Sequence, residues 1–189
     1  TGARRRQKET LEKVAKVCHE FELDFPPPVV SEDFNEYDAR GIMTYLFPKL
    51  RGSDDRLKEI LKNASDLRLD SPAGRKTFQE VFEIVMNHYI EGTAQVDELE
   101  SWKAFNERVV NGISKIVESF GESKTVVVFT SGGPISAAVQ YALDLSPQKT
   151  LQLNWVVKNS AITEFKFKPG RFTLTGFNMT PHIRDDTLI

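Results

Sequence analysis

Thr125–Ala138, TVVVFTSGGPISAA, is the stretch whose reading decides the fold. Thr125 to Phe129 are strand-forming residues, in a run short and apolar enough for a strand buried on both faces. They lead into Thr130-Ser131-Gly132-Gly133, where glycines permit a tight turn and close approach of a ligand to the backbone. Pro134 falls in the first turn of the helix expected next, where a missing N–H costs nothing. The free N–H groups of that turn, with the helix dipole behind them, suit a phosphate or other anion. Many strand–helix turns of this kind bind nothing, so the stretch alone leaves both readings open.

Composition bounds what surrounds it. The chain has 189 residues, enough for one sizeable domain with a real core. A net charge of −2 provides no field for nucleic acid or an anionic membrane surface, and neither is expected as a partner. The single cysteine, Cys18, excludes an internal disulfide framework and fits a reducing compartment, so the expected location is the cytoplasm. No apolar run approaches the roughly 18 residues of a membrane span. Three histidines and one cysteine are too few and wrongly spaced for a metal site, and no cofactor is implied.

Outward from the opening stretch, the periodicities predict mostly helices. Leu11, Val14, Cys18 and Phe21 form the stripe of an amphipathic helix over residues 4–21. Pro26-Pro27-Pro28 stops it, and Val29-Val30 reads as a short strand. Ser31–Asp38 is a loop rich in carboxylates, and residues 38–70 read as short helices broken by Pro48 and Gly52. Phe78, Val81, Phe82, Val85, Met86 and Tyr89 mark a strong helix ending near Gly92, with His88 on its flank in a structural role. Asp97–Glu100 has capping-box spacing ahead of a helix carrying Trp102, Phe105, Val109, Ile113, Ile116 and Phe120 and closed by Gly121. Beyond Ala138 the helix continues to Leu145 and ends at Pro147; Leu151–Val157, Ala161–Lys168 and Arg171–Thr175 read as strands. The sum is a single α/β domain over residues 1–189, with helices on both faces of one buried sheet.

The order of landmarks carries a resemblance. Gly2-Ala3-Arg4-Arg5-Arg6-Gln7-Lys8-Glu9-Thr10 is followed by Asn35-Glu36-Tyr37-Asp38, then by Val128-Phe129-Thr130-Ser131-Gly132-Gly133-Pro134-Ile135. Asn154–Glu164 and Phe177-Asn178 with His182 complete the series. This series resembles the histidine phosphatase superfamily, also called phosphoglycerate mutase-like. The resemblance implies a three-layer α/β/α sandwich around a mostly parallel mixed sheet, with residues 38–92 as a helical lid or insertion. It implies hydrolysis of a phosphomonoester through a phosphohistidine, on a phosphorylated small molecule or phosphoprotein. Such chemistry demands positioning and charge neutralisation in a dry pocket. Arg6 matches a pocket arginine whose guanidinium grips two phosphate oxygens, and Glu36 matches the acid/base carboxylate, which needs a raised pKa to donate a proton. Ser131 and Gly132 fall at the phosphate-binding turn. Arg4 and Arg5 match no required position and read as solvated helix-start residues.

Two departures accompany it. No Arg-His-Gly occurs in the 189 residues, and the family's first strand and helix are missing too. The chain opens at Thr1, and a sheet lacking its first strand exposes apolar edges; the expectation is an N-terminal segment ahead of Thr1, against the alternative of a fragment with an altered sheet. The second departure is Ser131, which stands where the family carries a second histidine. Serine still donates a hydrogen bond but carries no charge. The alternative it favours is a non-catalytic relative that binds a phosphorylated ligand or a partner. A third reading takes Ser131 as a hydrolase nucleophile with His182 and Asp144 or Glu164, although Phe129 stands where a nucleophile elbow has its first glycine. The substrate is not specified, and a homodimer is left open.

Overall fold

The computed structural model describes residues 1–64, 68, 70–93, 96–120 and 124–183. They form seven helices and one hairpin: α1 (Arg5–Glu20), a 3-10 turn (Glu32–Phe34), α2 (Ala39–Leu50), α3 (Asp55–Asn63), α4 (Pro72–Glu91), α5 (Trp102–Phe120), α6 (Gly132–Leu143), α7 (Pro147–Val156), β1 (Ile162–Lys168) and β2 (Arg171–Met179). The chain divides into two compact units, Tyr37–Phe105 and Thr1–Glu36 with Asn106–Ile189. Among the described residues no helix is long and apolar enough to cross a membrane.

The unit Tyr37–Phe105 is helical, and its helix starts follow from capping chemistry. Asp38, Asp54 and Ser71 accept the N–H groups of Gly41, Leu57 and Gly74 at 2.9 Å each, satisfying donors that a helix start leaves unpaired. Gly92 closes α4 in the left-handed region at φ 65°, as a C-terminal glycine does. Pro48 does not break α2, which runs on to Leu50. It sits in the last turn, where its ring interrupts little helix, while Ile42, Leu46 and Leu50 keep one buried face. Tyr37 meets Phe105 edge-on at 5.5 Å, and Tyr89 meets Trp102 edge-on at 6.2 Å while its hydroxyl donates to the Glu100 carbonyl. Asp97 does not cap α5: Ser101 Oγ accepts the Ala104 N–H at 3.1 Å. The expected stop at Gly121 lies outside the described residues.

In the other unit, α1 covers the expected residues but buries only the N-terminal part of the expected face. Val14, Val17 and Phe21 are exposed, whereas Gln7 and Leu11 are buried. A helix can turn a polar residue inward when the protein offers enough hydrogen bonds, and Gln7 has them. Thr125–Phe129 is irregular rather than a strand; the Phe129 carbonyl accepts the Gly2 N–H at 3.1 Å. Val29-Val30 is not a strand either, although the Val29 carbonyl accepts from the Thr1 nitrogen and the Ser31 N–H bonds the Thr1 carbonyl.

Pro147 opens a helix instead of only ending one. Asp144 terminates α6 in the left-handed region, and Ser146 caps α7 by accepting the Lys149 N–H, with Pro147 at its start. Leu151–Val157, expected as a strand, is therefore the body of α7. β1 and β2 pair antiparallel across Pro169-Gly170, with Phe167 opposite Phe172. Phe165 stacks on Phe172 at 4.5 Å, and Tyr141 of α6 adds a third ring at 5.6 Å. Asn178 ties the hairpin to the end of α7, donating to the Val156 carbonyl and accepting from the Lys158 N–H. The fold class is α/β, and the sheet that the described residues form is this two-stranded one.

His88 has a structural partner in the same helical unit. Its Nε2 lies 2.9 Å from Asp54 Oδ2 and its Nδ1 2.6 Å from Thr93 Oγ1. The hydrogen bond from His88, reinforced by the Leu57 N–H, holds the Asp54 carboxyl below its ordinary pKa. A carboxyl whose pKa is depressed by folding contributes stability at neutral pH, and that contribution disappears as pH falls below about 4. Asp54→Ala is expected to cost ~1 kcal/mol at pH 7, a typical capping loss, and to leave a shallower acid limb. Urea unfolding at pH 7 and pH 3.5 checks this; parallel losses at both pH values would contradict it.

Candidate functional site

The site is assembled around the start of α1. Arg4, Arg5 and Arg6 begin this helix, so their side chains leave its first turn in different directions while Gln7 faces inward. The Gln7 side chain is 2 % exposed, and its amide is fully engaged. Oε1 accepts the Arg4 N–H at 3.1 Å. Nε2 donates toward the Phe34 carbonyl (3.0 Å), Ser131 Oγ (3.0 Å) and Thr130 Oγ1 (3.2 Å). Gly2 makes room for it: a Cβ there would run into the Gln7 amide and the Phe34 carbonyl. One buried amide thus joins the helix start, the turn before Glu36 and the turn before α6.

The turn carrying Glu36 is docked on one face of α5. Arg108 Nη1 donates to the carbonyls of Glu32 (2.7 Å), Asp33 (3.0 Å) and Asn35 (3.2 Å), and Lys115 Nζ pairs with Asp33 Oδ2 at 2.7 Å. Between them Gly112 allows close packing, since a Cβ would fall 2.7 Å from Asp33 Cβ and 2.9 Å from the Phe34 ring. From the other side, Asn35 Oδ1 accepts the Ala3 N–H at 2.7 Å and Thr130 Oγ1 donates to the Phe34 carbonyl at 2.8 Å.

Arg6, Glu36 and Ser131 come together on this support. Arg6 Nε donates to Ser131 Oγ at 3.1 Å, and Arg6 Nη2 pairs with Glu36 Oε2 at 3.3 Å. The same Oε2 accepts the Gly133 N–H at 3.2 Å, in the first turn of α6. Glu36 is largely covered and Arg6 largely exposed, with side chains 15 % and 66 % accessible. Ser131 precedes α6 without capping it by its side chain; its Oγ instead receives hydrogen bonds from Arg6 and Gln7. A serine hydroxyl that accepts hydrogen bonds keeps its own proton to donate. Gly132 starts α6 where a Cβ would meet Asn154 Oδ1 at 2.5 Å.

Chemically, the cluster places a guanidinium, a hydroxyl and a helix N-terminus, all able to donate to an anion, beside a carboxylate. Residues missed by sequence reasoning also contribute. Arg4, read as a solvated helix-start residue, donates Nη2 to the Glu36 carbonyl at 3.3 Å. Gln7 and Arg108 build the support, and only Gln7 left a trace, as a polar residue four before the buried Leu11. Ser131 Oγ has two donors as partners, and His182 is not among them. Among the described residues no group of three or more His, Cys, Asp or Glu side chains could hold a metal.

The family model of the histidine phosphatase superfamily (branch 1) matches residues 52–180, about two thirds of the chain. The chain belongs to this superfamily. The matched range contains Ser131 and Gly132 but not Arg6 or Glu36. No curated protein and no solved structure matches the chain.

The support depends on Gln7 acting as a donor. Gln7→Glu keeps the shape but aims a carboxylate oxygen, which has no proton to give, at the Phe34 carbonyl. The expected loss is ~1–3 kcal/mol, the cost of a buried polar group left without partners. Urea denaturation at pH 7 measures it, and an unchanged midpoint would contradict the assignment.

Proposed function

We propose that this protein handles phosphomonoesters, as a hydrolase of the histidine phosphatase superfamily working through a phosphohistidine. Arg6, Ser131, Gly132 and the first-turn N–H groups of α6 hold the phosphoryl oxygens. Glu36, protonated from solvent once the phosphoryl charge lies beside it, passes that proton to the leaving oxygen. The phosphohistidine of that chemistry would form on the histidine of an Arg-His-Gly motif, which the 189 residues do not contain. The observation that carries this reading is the convergence of Arg6, Glu36, Ser131 and the Gly133 N–H at 3.1–3.3 Å. Phosphoryl transfer asks for this combination: donors fixed around the transferring group and a proton source at the leaving atom.

A three-layer sandwich with a mostly parallel sheet accompanies the proposal. It is supported by the exposed apolar residues Val29, Val30 and Val127, the kind of surface a neighbouring strand covers. The substrate is a phosphorylated small molecule or a phosphoprotein, and the single cysteine suits the cytoplasm.

A second reading is favoured by one specific residue. Ser131 stands where the superfamily's second histidine is expected, which removes a positive charge from the pocket and suits a relative that binds a phosphorylated ligand without cleaving it. A serine-nucleophile mechanism finds less support, because Ser131 Oγ accepts hydrogen bonds from Arg6 and Gln7, neither of which can act as a base.

Hydrolysis of an aryl phosphate by the natural full-length protein separates catalyst from binder. The expected outcome is turnover that falls at least 100-fold in Glu36→Gln, the usual scale of losing a general acid. Phosphate binding without turnover would leave the binding relative; full activity in Glu36→Gln would remove Glu36 from the acid role.

A further inference from the structure

Glu36 Oε2 does more than lie near the anion-binding groups. It uses two of them: the Arg6 guanidinium through Nη2 at 3.3 Å and the Gly133 N–H at 3.2 Å. These are donors that a phosphoryl oxygen needs if it is to rest at the start of α6 against Arg6. A carboxylate oxygen and a phosphoryl oxygen ask for the same geometry from a guanidinium and a backbone N–H. Both cannot hold them together, because two anionic oxygens at one position repel.

We infer that Glu36 is the resident occupant of the anion seat, so that phosphate binds by exchange, displacing the carboxylate from Arg6 and Gly133. This inference rests on the phosphate-handling reading and adds how the site is regulated and what it selects. The turn behind Glu36 is held by Arg108 and Lys115, so the exchange moves the side chain and leaves its backbone in place. The displaced carboxyl therefore stays beside the bound anion.

Exchange sets a threshold for ligands. An incoming anion has to outbid a carboxylate already tethered to the chain, whose local concentration is high because it is part of the same molecule. A dianionic tetrahedral group has the means. It offers further oxygens to Arg6 Nε, to the Ser131 hydroxyl and to the Arg4 guanidinium, which already reaches the Glu36 carbonyl. A monoanionic diester brings half the charge and fewer free oxygens, and the carboxylate keeps its place. Glu36 is thus a specificity-determining residue as well as the proton donor.

Titration of the full chain at pH 8 with inorganic phosphate, a dianion, and dimethyl phosphate, a monoanion, tests this without requiring turnover. Isothermal calorimetry is run on wild type, Glu36→Gln, Arg6→Ala and the double variant. Glu36→Gln is expected to bind phosphate about tenfold more tightly than wild type, on the scale of removing one like charge at contact distance. It should also gain binding of dimethyl phosphate, which wild type lacks, and Arg6→Ala should weaken phosphate binding in both backgrounds. Arg6 is exposed, and circular dichroism verifies that its removal leaves the fold intact. Equal phosphate affinity in wild type and Glu36→Gln, still dependent on Arg6, would overturn the exchange while leaving the phosphate pocket standing. Weaker binding in Glu36→Gln would overturn it as well. No phosphate binding by any variant would overturn both the exchange and the phosphate-handling reading.

Discussion

The buried amide of Gln7 is the constraint on which the site depends. An amide 2 % exposed has to find partners inside the protein, since leaving it unpaired costs a substantial part of a domain's net stability. Its partners come from three separated segments: the Arg4 N–H, the Phe34 carbonyl, and the hydroxyls of Thr130 and Ser131. Satisfying Gln7 therefore brings the α1 start, the Glu36 turn and the α6 turn to one place. Arg6, one residue before Gln7, then reaches both Ser131 and Glu36 as a consequence of helix geometry.

The electrostatics of the assembled site follow from that placement. Arg4 and Arg6 bring two positive charges to Glu36, and α6 adds the partial positive charge of its N-terminus. The Glu36 carboxylate offsets part of this field. Ser131 contributes a hydroxyl without charge, hydrogen-bonded by Arg6 and Gln7. A histidine here would add charge; the serine makes the pocket more dependent on Arg6 and Arg4.

Legibility in the sequence varied with how local the controlling physics was. The α4 helix was readable because Gly92 and the Phe78–Tyr89 periodicity act within a few residues of one another. Capping of α5 by Ser101 was hidden by the acidic run just ahead of it, and α7 by Val156-Val157, whose strand preference obscured the Ser146-Pro147 helix start. Arg6, Glu36 and Ser131 lie 30 and 125 residues apart along the chain from Arg6, so no spacing rule connects them; only the order of landmarks singled them out. Gln7 and Arg108 stayed hidden because an arginine-rich helix start and a mid-helix arginine look solvated until the turn packed against them is known. The short sheet differs most from expectation: Thr125–Phe129 has strand composition, but strand pairing needs a partner that composition does not specify.

The central claim is that Arg6, Ser131 and the start of α6 form one phosphate seat. Backbone and arginine side-chain ¹⁵N–¹H spectra recorded during a phosphate titration test it most directly. The account predicts saturable shifts of the Gly133 amide and Arg6 Nε–H that follow one binding curve, with the Glu36 carboxyl signal moving in step. Shifts confined to other parts of the chain, or an Arg6 Nε–H that stays still while phosphate binds, would contradict it.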